Sequence, residues 1–322
     1  MIEQSVLEEV LGVALRTGGE FAEVFAEDRR NSSAVLDDGR VEELTSGRDR
    51  GAGIRVVVGD TTGFAHTADL SEPGLIAAAE AAAAAARGGG GGTNVVALER
   101  RSASRGYAIE TDPGEVPKAR KVELLGRADD VARSVGDAIS QVSVVYSDSR
   151  RGILVANSDG LFVEDDTVRT FFAVSCVATG DTGMQTGREA IGHTIGFELF
   201  DMYDIDQLAR NAADRALTKL AARPAPSGQM PVVIGSGGGG VLFHEACGHG
   251  LEADLVAKGA SVFRGRVGQQ VASKGVTVVD DGTMQREWGN IAIDDEGNPA
   301  QRNVLIDDGV LTDYMWDHLR AR

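Results

Sequence analysis

The chain has 322 residues, a formal net charge of −17 at pH 7, and ordinary hydrophobic (42%) and charged (25%) fractions. That length suffices for two or three domains with a sizeable core. A surface this acidic repels phosphate backbones and anionic lipid, so nucleic acid and membranes are excluded as expected partners. The longest apolar run, residues 81–86, is alanine only and too short to span a bilayer. The acidic start "MIEQSVLEEV" lacks the basic region of a secretory signal, and two cysteines, Cys176 and Cys247, make no disulfide framework. A cytoplasmic protein is expected.

In chain order, residues 2–16 carry Ile2, Val6, Val10 and Val13 near helical spacing, and "TGG" stops that helix. Two or three short strands are expected through "FAEVFAED", "AVLDDGRVEELTS" and "GAGIRVVVGDTTGFAHT", with hairpin turns at Asp38-Gly39 and Gly59-Asp60. Ser71 suits the N-cap of an alanine-rich helix ending at the glycines from Gly88, and the run at 87–92 reads as a flexible connector. A second segment opens with the helix "VPKARKVELLGRADDVARS", Pro117 lying near its first turn. Strands "QVSVVYSDSRRGILVANSDGLFVEDDT" and "VRTFFAVSCVATG" follow, with a turn at residues 157–160. A helix over 205–222 places Leu208, Ala212, Leu217 and Leu220 on a buried stripe. "RPAPSGQMP" (223–231) is the clearest linker. "VVIGSGGGG" then reads as a short strand entering a glycine turn, "VLFHEACGHGLEADLV" as helical, and the remainder as mainly strands. The pattern predicts an α+β fold: N-terminal helix-plus-antiparallel-sheet units at 1–110 and 111–225, then an incomplete β-rich domain at 226–322. Without β-α-β-α alternation, a doubly wound parallel sheet is disfavoured.

The chemistry concentrates in "HEACGH". His244 and His249 are candidate metal ligands, and Glu245 is a candidate general base for a metal-activated water, as in H-E-x-x-H enzymes. The spacing is one residue longer. Residues i and i+5 lie roughly 140° apart on a regular helix, so the rings would splay. Either an added residue in the turn, a π-bulge, realigns them, or the helix ends before His249. Gly248 and Gly250 ease irregular backbone there. Without a metal, the pair of histidines is simply a polar helix face. Cys247 reads as a small packed residue rather than a ligand. Glu252 is either an acid supporting His249, an extra ligand, or a solvated charge. His66, His193 and His318 stand alone and read as packing or surface residues. Gly235, Gly237 and Gly240 fit G-x-G-x-x-G, but "DLVAKGASVF" stands where the second strand of a dinucleotide fold and its acid belong. The glycine run is expected instead to allow close backbone approach, for packing or for an extended peptide.

At "GGGVLFHEACGHGLEAD", and on through "GASVFRGRVGQQVASKGVTVVDDGT" and "AIDDEGNPAQRNVLIDDGVLTDYM", the chain resembles the TldD/PmbA peptidase family, on the TldD side. The resemblance extends to "VVYSDSRRGILVANSDG" and spans most of the chain. It implies a zinc-dependent metallopeptidase that hydrolyses flexible or unfolded peptides inside a dimeric chamber, linked to peptide-antibiotic maturation and antitoxin turnover. By position, His244 and His249 would bind zinc and Glu245 would be the base. The dimer would be homomeric or formed with a PmbA/TldE-like subunit. The family's third ligand is a late cysteine that neither Cys176 nor Cys247 matches. The chain is therefore expected to be C-terminally truncated, with exposed strand edges and apolar surface. The alternative function is a non-catalytic partner or scaffold subunit lacking the third ligand.

Overall fold

The computed structural model describes residues 1–86, 95–181 and 183–321. The expected connector at 87–92 lies outside them. By contacts the chain divides into two compact units, one of Met1–Arg223 with Met284–Pro299 and one of Pro224–Thr283 with Ala300–Arg322.

The first unit is a seven-stranded sheet with helices on one face. Helix α1 (Gln4–Leu15) leads into β1 (Phe21–Asp37), β2 (Arg40–Val58), β3 (Thr61–Thr67) and α2 (Glu72–Ala86). After β4 (Glu99–Ser102), the series recurs as α3 (Lys118–Arg133), β5 (Ile139–Asn157), β6 (Leu161–Gly180), β7 (Gly183–His193), a short α4 (Leu199–Met202) and α5 (Ile205–Ala221). The strand order is β3-β2-β1-β5-β6, with β7 and β4 both pairing β6, and only the β4 pairing is parallel. Mixed helix and antiparallel sheet is the fold class the sequence predicts.

The strands are longer than expected. β1 and β2 run for 17 and 19 residues, through "DRRNSS" and "TSGRDR". Those polar runs read as strand breaks, yet they continue because β1 pairs along its length with both β2 and β5. Ladder hydrogen bonds, from two neighbours for β1 and from β1 alone for residues 45–50 of β2, outweigh weak local propensity. The expected cap holds, the Ser71 hydroxyl accepting from Gly74 N–H at 3.4 Å, and α5 is capped by Asp204, which the sequence reading did not single out. At the turn after β5, the Asn157 side chain accepts from the Asp159 and Leu161 amides.

Two cores lie under the helices. Under α1 and α2, Leu7, Leu11, Leu75 and alanines 78, 79 and 82 pack on Val24, Ile54 and Leu154. Under α3 and α5, Leu124, Leu125, Leu208 and Ala212 pack on Val144, Tyr146 and Phe172. Of the expected α5 stripe, Leu208 and Ala212 are buried and Leu217 and Leu220 border the core. In both cores a strand glycine lets a helix backbone come close. A Cβ on Gly63 would lie 2.0 Å from the Ala82 carbonyl oxygen, and a Cβ on Gly187 the same distance from that of Ala212. Met284–Pro299 packs on the opposite, helix-free face, where Ile293 meets Ile153, Val155 and Val163.

The second unit contains α6 (Gly238–Phe243), α7 (Ala253–Ala257), β8 (Val278–Asp281), β9 (Arg302–Asp307), β10 (Val310–Leu311) and α8 (His318–Ala321). β8, β9 and β10 form a small antiparallel sheet. The expected strand at "VVIG" is not formed. No strand among the described residues pairs with it, and Val232 and Val233 are exposed. Val241, Leu242 and Phe243 of α6 are exposed as well.

Candidate metal centre

The centre is built on a change of helical pitch. Gly237, at φ 80°, starts α6 from a backbone conformation that L side chains rarely adopt. From His244 to Gly248 the helix widens to a π turn, in which the His249 amide donates to the His244 carbonyl. This π turn is the inserted residue that one reading of the i, i+5 spacing requires, and the helix does not end before His249. The two imidazole centroids come to 4.5 Å, at an interplanar angle of 70°. The chain then tightens to a 3-10 turn over His249–Leu251.

Packing behind the turn fixes its position. Leu251 is fully buried in a cluster with Leu305, Ile306, Leu311 and Tyr314. Leu251 and Ala253 exchange backbone hydrogen bonds of 2.8 and 2.9 Å with Met315. The Ser261 hydroxyl donates to the Gly250 carbonyl, and the Phe263 ring sits against Gly250. Ser261 and Phe263 went unnoticed in the sequence, because nothing local marks a contact reaching back past ten residues.

His244, Glu245 and His249 are exposed, and one donor atom from each lies within 4.8 Å of the others. They are the one such cluster of potential ligands among the described residues. Glu245 carboxylate oxygens lie 4.0 Å from His244 Nε2 and 3.7 Å from His249 Nε2. His249 Nδ1 meets the Glu252 carboxylate at 2.9 Å. That hydrogen bond, then the charge of Glu252, raises the His249 pKa above its ordinary value. It also holds Nδ1 as the protonated nitrogen of the neutral ring and leaves Nε2 as the free lone pair, the usual arrangement of a metal-binding imidazole. Two imidazole nitrogens beside a carboxylate, one ring steered by a second carboxylate, are a donor set that suits a divalent ion such as zinc.

The cysteines stand apart. Cys247 donates its thiol to the Phe243 carbonyl at 3.1 Å, and Cys176 is buried in β6. The other histidines have local roles or lie apart: His193 is held by Tyr203 and the Arg286 carbonyl, and His66 stacks on Phe64. Within the glycine run only Gly239 is closely packed, where a Cβ would lie 2.5 Å from the Ile234 side chain. A Cβ on Gly235, Gly237, Gly238 or Gly240 would meet nothing within 4 Å, and the backbone requirement rests at Gly237. Among the described residues no helix is long and apolar enough to cross a membrane.

A chain folded in this way, with paired histidines and a glutamate on a turn, has the architecture of a metallopeptidase family. Models of the PmbA/TldA metallopeptidase match domain 1 at residues 22–86, the central domain at 111–220 and the C-terminal domain at 227–322. The chain belongs to this TldD/PmbA family. It is 36% identical to the "Metalloprotease TldD homolog" of Haemophilus influenzae, over 94% of this chain and 64% of that protein. It is also 36% identical to a protein named "Metalloprotease" of Methanothermobacter thermautotrophicus, over 92% of this chain and 64% of that one. The chain thus spans under two thirds of the length of these relatives. The crystal structure of TldE from Thermococcus kodakarensis has the same fold, with a TM-score of 0.74 at 19% identity, over 98% of this chain and 71% of that one.

Proposed function

We propose that the chain is the metal-binding subunit of a cytoplasmic, zinc-dependent peptidase that hydrolyses flexible or unfolded peptides. The observation that carries this reading is the π turn, which sets His244 and His249 side by side with Glu245 between their Nε2 atoms. His244 and His249 would hold the ion through Nε2, and Glu252 would keep His249 in the required tautomer. A zinc ion supplies a Lewis acid that polarises water and the scissile carbonyl. Glu245 takes the proton of the attacking water on its carboxylate and delivers it to the departing amine. On this reading residues 1–110, 111–225 and 226–322 are three successive domains. The subunit works as a homodimer, or as a heterodimer with a PmbA/TldE-like partner, enclosing a chamber.

Metal analysis and a fluorogenic unstructured peptide test this. The wild-type chain should carry about one zinc, and His244→Ala should lose it. Glu245→Gln should keep the metal and lower turnover by about 10²–10⁴. A metal-free wild type, or full turnover in Glu245→Gln, would sink the reading.

A second reading, a non-catalytic partner subunit, draws on one observation: among the described residues neither Cys176 nor Cys247 joins His244, Glu245 and His249. It predicts stable binding to a full-length homologue with no cleavage alone or in complex.

A further inference from the structure

One row of the sheet carries polar groups that nothing in the metal centre uses. Gly47 on β2 pairs Asn31 on β1, Asn31 pairs Ser149 on β5, and Ser149 pairs Arg169 on β6. Directly paired residues point to the same side of a sheet, so Asn31, Ser149 and Arg169 form a line of hydrogen-bond donors on the helix-free face. Gly47 ends the line with open space above it. These residues, with Arg29 and Trp288, line a cavity of about 480 Å³.

The charge in that cavity is unbalanced. The Arg169 guanidinium lies over the Trp288 ring, 5.4 Å from its centroid. Trp288 is in turn braced edge-on against Phe171. Arg169 makes no ion pair or hydrogen bond among the described residues, and its Nε is shielded from solvent with no partner. Arg29 also lacks an ion-pair partner there. By contrast, nearby Arg105 and Arg151 are matched, to Asp165 and to Glu27 and Asp295. The one acid lining the cavity, Asp148, is already engaged by Lys121, Ser32 and Tyr146. Glu43 nearby is occupied by the hydroxyls of Ser33 and Thr45. Burial, then the charges of Arg151, Arg105 and Arg29, lower the Arg169 pKa.

We infer that this bay is a carboxylate-binding site, in which Arg169 and Arg29 supply the charge and Asn31 and Ser149 supply the neutral donors. An arginine stacked on an aromatic ring presents its planar fork of N–H groups to a carboxylate in a fixed orientation. The hydroxyl and amide neighbours fill the remaining lone pairs. The site lies wholly in the first unit and does not depend on the peptidase reading.

The test measures binding of N-acetylglycine and N-acetylglycinamide to the metal-free chain by calorimetry and by amide chemical shifts. The acid should bind at least about tenfold more tightly than the amide, as expected for charge-assisted hydrogen bonds. The shifts should map to residues 29–33, 147–151 and 167–171. Arg169→Gln should abolish the preference, and Arg169→Lys should restore part of it. Ser149→Asp, which places a carboxylate beside Arg169 in the same row, should abolish it too. It should do so with native circular dichroism, which covers the case that Arg169→Gln misfolds. Equal binding of acid and amide, no binding of either, or an unchanged preference in folded Ser149→Asp would overturn the inference. A response to inorganic phosphate that requires Arg169, with none to N-acetylglycine, would overturn the assignment of ligand class.

Discussion

When the glycines of α1 and α3 are aligned, Gly12 on Gly126, Leu11 falls on Leu125 and Leu7 on Lys121. Both leucines are fully buried, as is Leu7, and Lys121 is 4% exposed. The first half of the sheet therefore closes under α1 with an aliphatic side chain. The second half closes under α3 with a buried ammonium, held by Asp148 at 2.6 Å and by Ser32 at 2.9 Å, above the Tyr146 ring. The same plan of helix, two long strands, a short strand and a helix thus tolerates two chemistries at one position. The difference matters energetically. An apolar contact loses strength gradually as atoms are removed, whereas a buried ion pair fails abruptly when one partner is lost.

The largest effect should come from breaking that pair. Asp148→Ala strands Lys121 in the core and should cost about 3–5 kcal/mol in chemical denaturation. The double variant Lys121→Leu with Asp148→Val gives the second half the pattern of the first, and should recover most of that loss. If the double variant is no better than the single one, the two halves are not energetic equivalents.

The next effect tests what the halves share. Gly63→Val and Gly187→Val each drive a side chain into a helix backbone, and should destabilise by about 3 kcal/mol, each to a similar degree. Thermal midpoints of the two variants would expose any asymmetry.

A smaller and conditional effect belongs to the first half. Glu23 on β1 is buried, and burial pushes its pKa up to about 7 despite Arg55, with Glu296 and Asp294 pushing the same way. An acid with a raised pKa in the folded state favours folding in its protonated form. Stability should therefore fall as pH rises from about 4.5 to about 7 and be insensitive to Glu23 above that, a difference of about 3 kcal/mol. Glu23→Gln should flatten that part of a stability profile measured by denaturant melts. An unchanged profile would place the titration elsewhere.

Much of the local structure was legible in the sequence, because its determinants are local. Ser71, Pro117, the Asp38-Gly39 turn and the 157–160 turn each act within a few residues. The histidine motif was legible too, and its extra residue pointed to the π turn as one of two outcomes. What was not legible depends on partners distant in the chain. "DRRNSS" becomes strand only because two neighbours pair with it. Met284–Pro299 looks like part of the C-terminal segment, yet it packs with the first unit. Lys121 in "VPKARKVELLGRADDVARS" reads as a solvated charge until Asp148 and Ser32 are brought beneath it. The row from Asn31 to Arg169 exists only once three strands are in register.

That register has a kinetic side. The pairing of β1 with β5 joins Glu23 to Asn157 and Asp37 to Ser143, all pairs more than 100 positions apart. Contacts so remote carry a large loop-closure cost and form late. Until β5 emerges during synthesis, β1 presents an open edge 17 residues long, with β2 already in place on its other side. The matching edge of β5 on a second nascent copy has the same pattern of donors and acceptors. Exchange of halves between two chains is therefore the misassembly this topology invites, and the rate at which β5 arrives sets how long the opportunity lasts.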